Sequence, residues 1–166
     1  MVGKIIVVEG TDCSGKETQT KLLEQRLKES NINCIRFEFP MYDTPTGKIV
    51  GGDYLGKPEI GNSLFKEGAI NVDPYVVCLY YAADRKYNMK KIEEYLDKNY
   101  YVILDRYTTS NLAHQGSKIK EKDFYDSNEE IDTKDLILLA IFGIRDQIRK
   151  GVKEAILKCR EASINV

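Results

Sequence analysis

Apolar and polar positions along the 166-residue chain fall into short alternating blocks. Lys4–Val8 is a nearly continuous apolar run, the pattern of a strand buried on both faces. From Gly15 to Ser30 the spacing becomes helical. Leu22, Leu23 and Leu27 lie on one side, and Lys21, Glu24, Gln25 and Lys28 on the other. Cys34–Phe39 reads as a second strand that Pro40 stops. Residues 40–63 carry many glycines and prolines, which predicts a loop with about one helical turn. Asp73-Pro74 predicts the start of a long helix, with an aspartate cap and proline at the first position. Tyr100–Leu104 predicts a third strand, ending at Asp105. Strand, helix, strand, helix and strand in this order predict an α/β fold, a three-layer sandwich with a mostly parallel central sheet flanked by helices.

The last quarter is less regular. Residues 117–134 are polar, without a clear period. Leu136–Phe142 reads LILLAIF between Asp135 and Gly143. Its shortness favours a fourth buried strand, while its Leu and Ala content also suits a helix. In Ile144–Arg160 the apolar positions Ile148, Val152, Ile156 and Cys159 recur at helical spacing. There is no internal repeat and no low-complexity tract.

Composition narrows the classes of partner. The length suits one domain spanning 1–166. The 25 basic and 26 acidic residues nearly cancel, so the chain carries no electrostatic footprint for nucleic acid or an anionic membrane. No apolar stretch approaches the roughly 20 residues of a membrane span. The N-terminus runs straight into a strand, and no signal peptide is expected. Cys13, Cys34, Cys78 and Cys159 form no CxxC pair and lack metal-ligand spacing. Free thiols in a cytoplasmic protein are the simplest expectation.

The first strand leads into EGTDCSGKETQT, residues 9–20. Gly10-x4-Gly15-Lys16, between a strand and a helix, has the spacing of a phosphate-binding P-loop. Backbone N–H groups in the segment Gly10, Thr11, Asp12, Cys13, Ser14, Gly15, Lys16, Glu17 and Thr18 can turn toward phosphate oxygens, as at a helix N-terminus. Lys16 adds a mobile positive charge. A glycine turn capping an ordinary strand–helix unit is the plainer alternative. Glu17 stands where a P-loop usually has the Ser or Thr whose hydroxyl holds Mg²⁺. Thr18 lies about 100° further around the helix and cannot simply replace it.

Two further groups carry candidate chemistry. Tyr81 and Arg85 are four apart on one helix and share a face. A flat ring beside a guanidinium can stack on a pyrimidine and bond its carbonyl edge. The same pair also suits a core tyrosine beside a solvated arginine. Asp105-Arg106-Tyr107 falls at the C-terminal end of a strand, where parallel sheets place ligands. There Arg106 can hold a phosphate bidentately, and Asp105 can order Arg106 or hold Mg²⁺ through a water.

Taken with FPMYDTPTGK, NVDPYVVCLYYAADR and ILDRYTTSNLAHQG, the EGTDCSGKETQT block resembles the thymidylate kinase (dTMP kinase) family of P-loop nucleoside monophosphate kinases. The resemblance covers about residues 1–120. It implies transfer of the γ-phosphoryl group of ATP to dTMP, with Mg²⁺, giving dTDP for dTTP biosynthesis. It also implies a homodimer. By this resemblance Lys16, Arg106, Asp12 and Asp105 are catalytic, and Asp12 and Asp105 are placed near the metal. Tyr81 stacks on thymine and Arg85 contacts its O4. Phe39 and Tyr42 wall the dTMP site, and Ser110, Asn111 and Gln115 read the base edge. Asp12 equally suits a tight turn, and Ser110 a helix cap. The chain departs from the family at several points. Some relatives also lack a hydroxyl after the P-loop lysine, as here at Glu17. Met41 stands in a segment where many relatives carry an arginine. Cys13 replaces a residue that is usually Gly or Ala, and its oxidation is a candidate block on nucleotide binding. His114, the sole histidine, is read as packing or surface and not as a base.

After about Phe124 the family pattern fades. Leu136–Phe142 suits the penultimate strand, with Ala140 where relatives often have Asp. Arg145, Arg149 and Lys150 then fall on the helix leading to the lid. A lid and last strand are expected to be missing before Val166, through truncation or through a compact variant. Two functions compete on the sequence: a dTMP kinase, or a weak or inactive nucleotide-binding remnant. A kinase of another nucleoside monophosphate is the third reading.

Overall fold

The computed structural model describes residues 3–119. These fall within the first of two compact units, Met1–Ile131 and Asp132–Val166. The expectations for Leu136–Phe142, Ile144–Arg160 and Cys159 lie outside the described residues.

The elements run β1 (Lys4–Val8), α1 (Lys16–Glu29), β2 (Cys34–Glu38), α2 (Pro45–Lys48), α3 (Pro74–Asp97), β3 (Tyr101–Asp105) and α4 (Thr108–Gly116). The three strands form a parallel sheet in the order β1-β3-β2. Register is continuous on both sides of β3: Val8 and Glu38 both pair with Asp105. The three carboxyl ends therefore finish level, and the loops that follow them leave from one edge.

The central strand β3 has Val102, Ile103 and Leu104 fully buried. On one face Val102 and Leu104 pack with Phe39, Met41 and Ile92, bordered by Ile35, Phe37, Met89, Tyr95 and Leu96. This is the contact of α3 with β2 and β3. A second cluster of Val50, Tyr54, Val72 and Val77 packs the 49–72 segment on the first turns of α3. Asp73 caps α3 as predicted, its Oδ1 accepting from the N–H groups of Tyr75 at 2.8 Å and Val76 at 3.2 Å.

Three expectations are corrected. The first is that β1 is not buried on both faces: Ile5 and Val7 are 41% and 42% exposed. Both pair with residues on the α3 face of the sheet, and among the described residues no element covers that face as far as β1, an edge strand here. On α1, Leu22 is exposed while Lys16 and Thr20 are buried. The inward stripe therefore runs through residues 16, 20, 23 and 27, and the leucine pair 22–23 straddles its border.

The third correction concerns residues 40–63, which hold more helix than one turn. The Thr44 hydroxyl caps α2 by accepting from the Gly47 N–H. A π-helical turn, Ile49–Tyr54, follows directly. Two of the glycines here mark close packing and not a chain break. A Cβ on Gly47 would lie 1.7 Å from the Met41 carbonyl oxygen, and one on Gly51 would lie 2.4 Å from Ile60 Cδ1.

Candidate active site

The loop after β1 wraps tightly from Gly10 to Gly15. Cys13 (φ 59°) and Gly15 (φ 83°) both take the left-handed conformation. Glycine adopts it freely. A side chain at Cys13 costs on the order of 1 kcal/mol or more. The thiol of Cys13 is exposed. Lys16 opens α1 and is buried, with its Nζ donating to the Thr11 carbonyl and to Ser14 Oγ. The lysine thus folds back over its own loop. Glu17 turns away and pairs with Lys21 on the α1 surface. That pairing lowers the Glu17 carboxyl pKa, chiefly through the hydrogen bond from Lys21.

Arg106 follows β3 and also sits at a left-handed φ of 69°. Its guanidinium donates to the Gly10 carbonyl at 3.3 Å, to Ser110 Oγ at 3.1 Å and to Asp12 Oδ1. The two loops that the sequence singled out are therefore joined directly. Asp105 is buried; Thr20 Oγ1 donates to its Oδ2 at 3.4 Å, and Arg36 Nη1 lies 3.5 Å away.

One cavity of about 950 Å³ opens above these strand ends. Its walls include Asp12, Cys13, Gly15, Lys16, Glu17 and Thr18 from the loop and from α1. Phe39, Tyr42, Tyr81, Arg85, Asp105, Arg106, Ser110, Asn111 and Gln115 line it as well. Gly10, Thr11 and Ser14 complete the loop behind this wall. Tyr81 is largely enclosed, and burial, with the Tyr42 and Tyr54 phenols nearby, pushes its phenol pKa upward. Burial also lowers the Arg85 guanidinium pKa, and the guanidinium carbon lies 5.9 Å from the centre of the Tyr107 ring. Asn111 and Gln115 are buried, and among the described residues neither Asn111 Oδ1 nor Gln115 Oε1 has a hydrogen-bond partner. His114 is exposed at the rim. Met41 is a core residue whose N–H donates to Asp84.

Sequence reasoning gave no role to three residues that the structure makes prominent. Glu9 Oε1 accepts from the N–H groups of Tyr107 at 2.9 Å and Ser110 at 3.2 Å, and from Thr109 Oγ1. Its Oε2 accepts from Ser110 Oγ. Asp84 is 1% exposed and accepts from Met41 N, Thr46 Oγ1 and Asn88 Nδ2, each at 2.9 Å. Thr20 is fully buried under Asp105. A carboxylate ending an apolar run was the available signal for Glu9. For Asp84 it was an acid among the aromatic and alanine positions of α3.

Comparison with known proteins places the chain in a family. The family model "Thymidylate kinase" matches residues 8–162. The chain belongs to the thymidylate kinase family. It is 35% identical over 117 residues to a Plasmodium falciparum "Thymidylate kinase", covering 70% of this chain and 50% of the relative. A Methanococcus maripaludis "Probable thymidylate kinase" is 33% identical over 150 residues, 90% of this chain and 65% of the relative. The crystal structure of thymidylate kinase from Ehrlichia chaffeensis superposes with a TM-score of 0.55 at 29% identity, covering 76% of this chain and 63% of that one. The chain thus spans about half to two thirds of the length of these thymidylate kinases. No helix among the described residues is long and apolar enough to cross a membrane.

Proposed function

We propose that this chain is a dTMP kinase, transferring the γ-phosphoryl group of ATP to dTMP. The observation that carries the reading is the single cavity shared by Lys16, Arg106, Tyr81 and Arg85. Phosphoryl transfer needs two anions held in line and their charge neutralised. The loop amides and Lys16 suit the ATP phosphates. Arg106 stands across from them for the dTMP phosphate. An oxygen of that phosphate attacks the γ-phosphorus and the β–γ bridging bond breaks, releasing ADP and dTDP.

Base recognition follows from the far wall. Tyr81 offers a ring for stacking, with Phe39 and Tyr42 beside it. Arg85 offers donors for the thymine O4. The unpartnered amide oxygens of Asn111 and Gln115 suit a donor such as thymine N3–H, since buried acceptors without partners are costly. Ser110 takes a different part from base reading, because its hydroxyl is engaged by Glu9 and Arg106.

Mg²⁺ fits this site with few protein ligands. Among the described residues no cluster of three metal-ligating side chains occurs. Mg²⁺ in such sites takes one or two carboxylates and completes its shell with phosphate oxygens and water. Asp12, whose side chain is 78% exposed, would hold it, with Asp105 acting through water. When bound, the ion would neutralise charge on the transferring group.

The family match runs across both compact units, supporting one kinase domain over 1–166. A cytoplasmic location accords with Cys13, Cys34 and Cys78 as free thiols. On α3, Val76, Leu79, Ala83 and Tyr87 form an exposed stripe at helical spacing. Such a stripe supports a homodimer. Light scattering should return twice the chain mass; a monomer at every concentration would reject the dimer.

The kinase reading is tested by measuring ADP release and dTMP binding in one sample of the full chain. Turnover that depends on dTMP supports the kinase. Binding without turnover selects the nucleotide-binding remnant instead. For base choice, Arg85→Ala should erase the preference for dTMP over UMP and CMP. A preference retained in that variant would remove Arg85 from base recognition.

A further inference from the structure

We infer that Glu9 is the positioning residue that sets Arg106 and α4 against the phosphate loop; the inference rests on the kinase reading above. The helix α4 begins after Tyr107, which has no side-chain cap of its own. Its orphan N–H groups are met from another element. The Glu9 carboxylate, at the end of β1, accepts from Tyr107 N, Ser110 N, Thr109 Oγ1 and Ser110 Oγ. A carboxylate at a helix N-terminus is favoured both by these donors and by the helix dipole.

The placement has a consequence for Arg106. This residue lies between Asp105, locked in the sheet, and Tyr107, pinned by Glu9. It holds a left-handed φ of 69°, a conformation that persists where surrounding contacts over-determine it. Glu9 supplies those contacts from one side, and the Arg106 N–H bond to the Val8 carbonyl at 3.0 Å supplies them from the other. The Ser110 hydroxyl then links the Glu9 carboxylate to the Arg106 guanidinium. Since Gly10 follows Glu9 directly, one residue ties the start of the phosphate loop to the acceptor side. The same helix carries Asn111 and Gln115 into the cavity.

The test uses the full chain and the variant Glu9→Gln. Glutamine keeps the size and one acceptor oxygen but sets an amide N–H₂ among the donors. The charge at the α4 N-terminus is lost. Affinity for dTMP by calorimetry should fall about tenfold, the scale of a lost cap. Affinity for ATP should change by less than about threefold, because the loop amides and Lys16 are untouched. The Tyr107 and Ser110 amide proton resonances, bonded to a carboxylate in the parent, should move upfield. Glu9→Asp, which keeps the charge on a shorter arm, should recover part of the lost affinity. Unchanged dTMP affinity with a lowered melting temperature would reduce Glu9 to a structural cap and overturn the inference. If the parent itself binds no dTMP, the kinase reading fails first. The resonances then decide alone: unmoved ones in Glu9→Gln, or shifts confined to the Tyr107 and Ser110 amides, overturn the positioning role, and shifts that extend to the Arg106 guanidinium support it.

Discussion

Arg106→Met should lower dTMP phosphorylation by about three orders of magnitude while the chain stays folded. The guanidinium faces the cavity from the carboxyl end of β3 and already spans two loops. In the transfer step it would neutralise charge on the acceptor phosphate. Methionine keeps much of the length and removes all donors. The stability change should be small, within about 1 kcal/mol, because the Asp12 partner is largely exposed and such pairs contribute little. Arg106→Lys should recover only a small part of the rate, since an ammonium cannot bind a phosphate bidentately. The measurement is steady-state ADP release at saturating ATP and dTMP, with urea unfolding alongside. A loss of less than about tenfold would displace Arg106 from the acceptor site.

Asp84→Ala is the second large effect, and it acts on the fold. The Asp84 carboxylate organises the chain after β2 by accepting from Met41 N, Thr46 Oγ1, Thr44 Oγ1 and Asn88 Nδ2. Removing it leaves the Met41 N–H without its partner in a core position, and Asn88 Nδ2 keeps only its bonds to the Asp84 carbonyl and Thr44 Oγ1. Unpaired buried donors of this kind predict a loss of about 2–4 kcal/mol. The segment so released carries Phe39 and Tyr42 on the cavity wall. The KM for dTMP should therefore rise in Asp84→Asn even at temperatures where that variant is folded. The checks are a urea titration and initial rates at varied dTMP. A Cm and KM both equal to the parent's would show that the cluster is incidental.

Much of the fold was legible because a parallel sheet writes itself as short apolar runs between amphipathic helices. Lys4–Val8 matches its strand at both ends, and Asp73-Pro74 marks the first turn of α3. Which strand is central was not legible. Val7 and Leu104 look alike in sequence, yet one is exposed and the other fully buried. Strand order alone makes that difference. The glycines at 47 and 51 misled because a breaker and a close-packing residue share one letter. In the site, P-loop spacing and the Tyr81–Arg85 pair are local patterns and could be read directly. Glu9 acts on residues 98 to 101 positions away, and no local pattern announces such a partner. Asp84 finds its partners only when the 41–46 segment is laid against α3.

The folded-back Lys16 and the Asp12-bound Arg106 hold both cations against the protein's own oxygens. Each charge is thereby satisfied within the fold. An incoming ligand must out-compete a carbonyl at one and a carboxylate at the other. A lone small oxyanion can displace one of them at a time. A run of linked oxyanions would displace several together, and so would be favoured over a single one by its length.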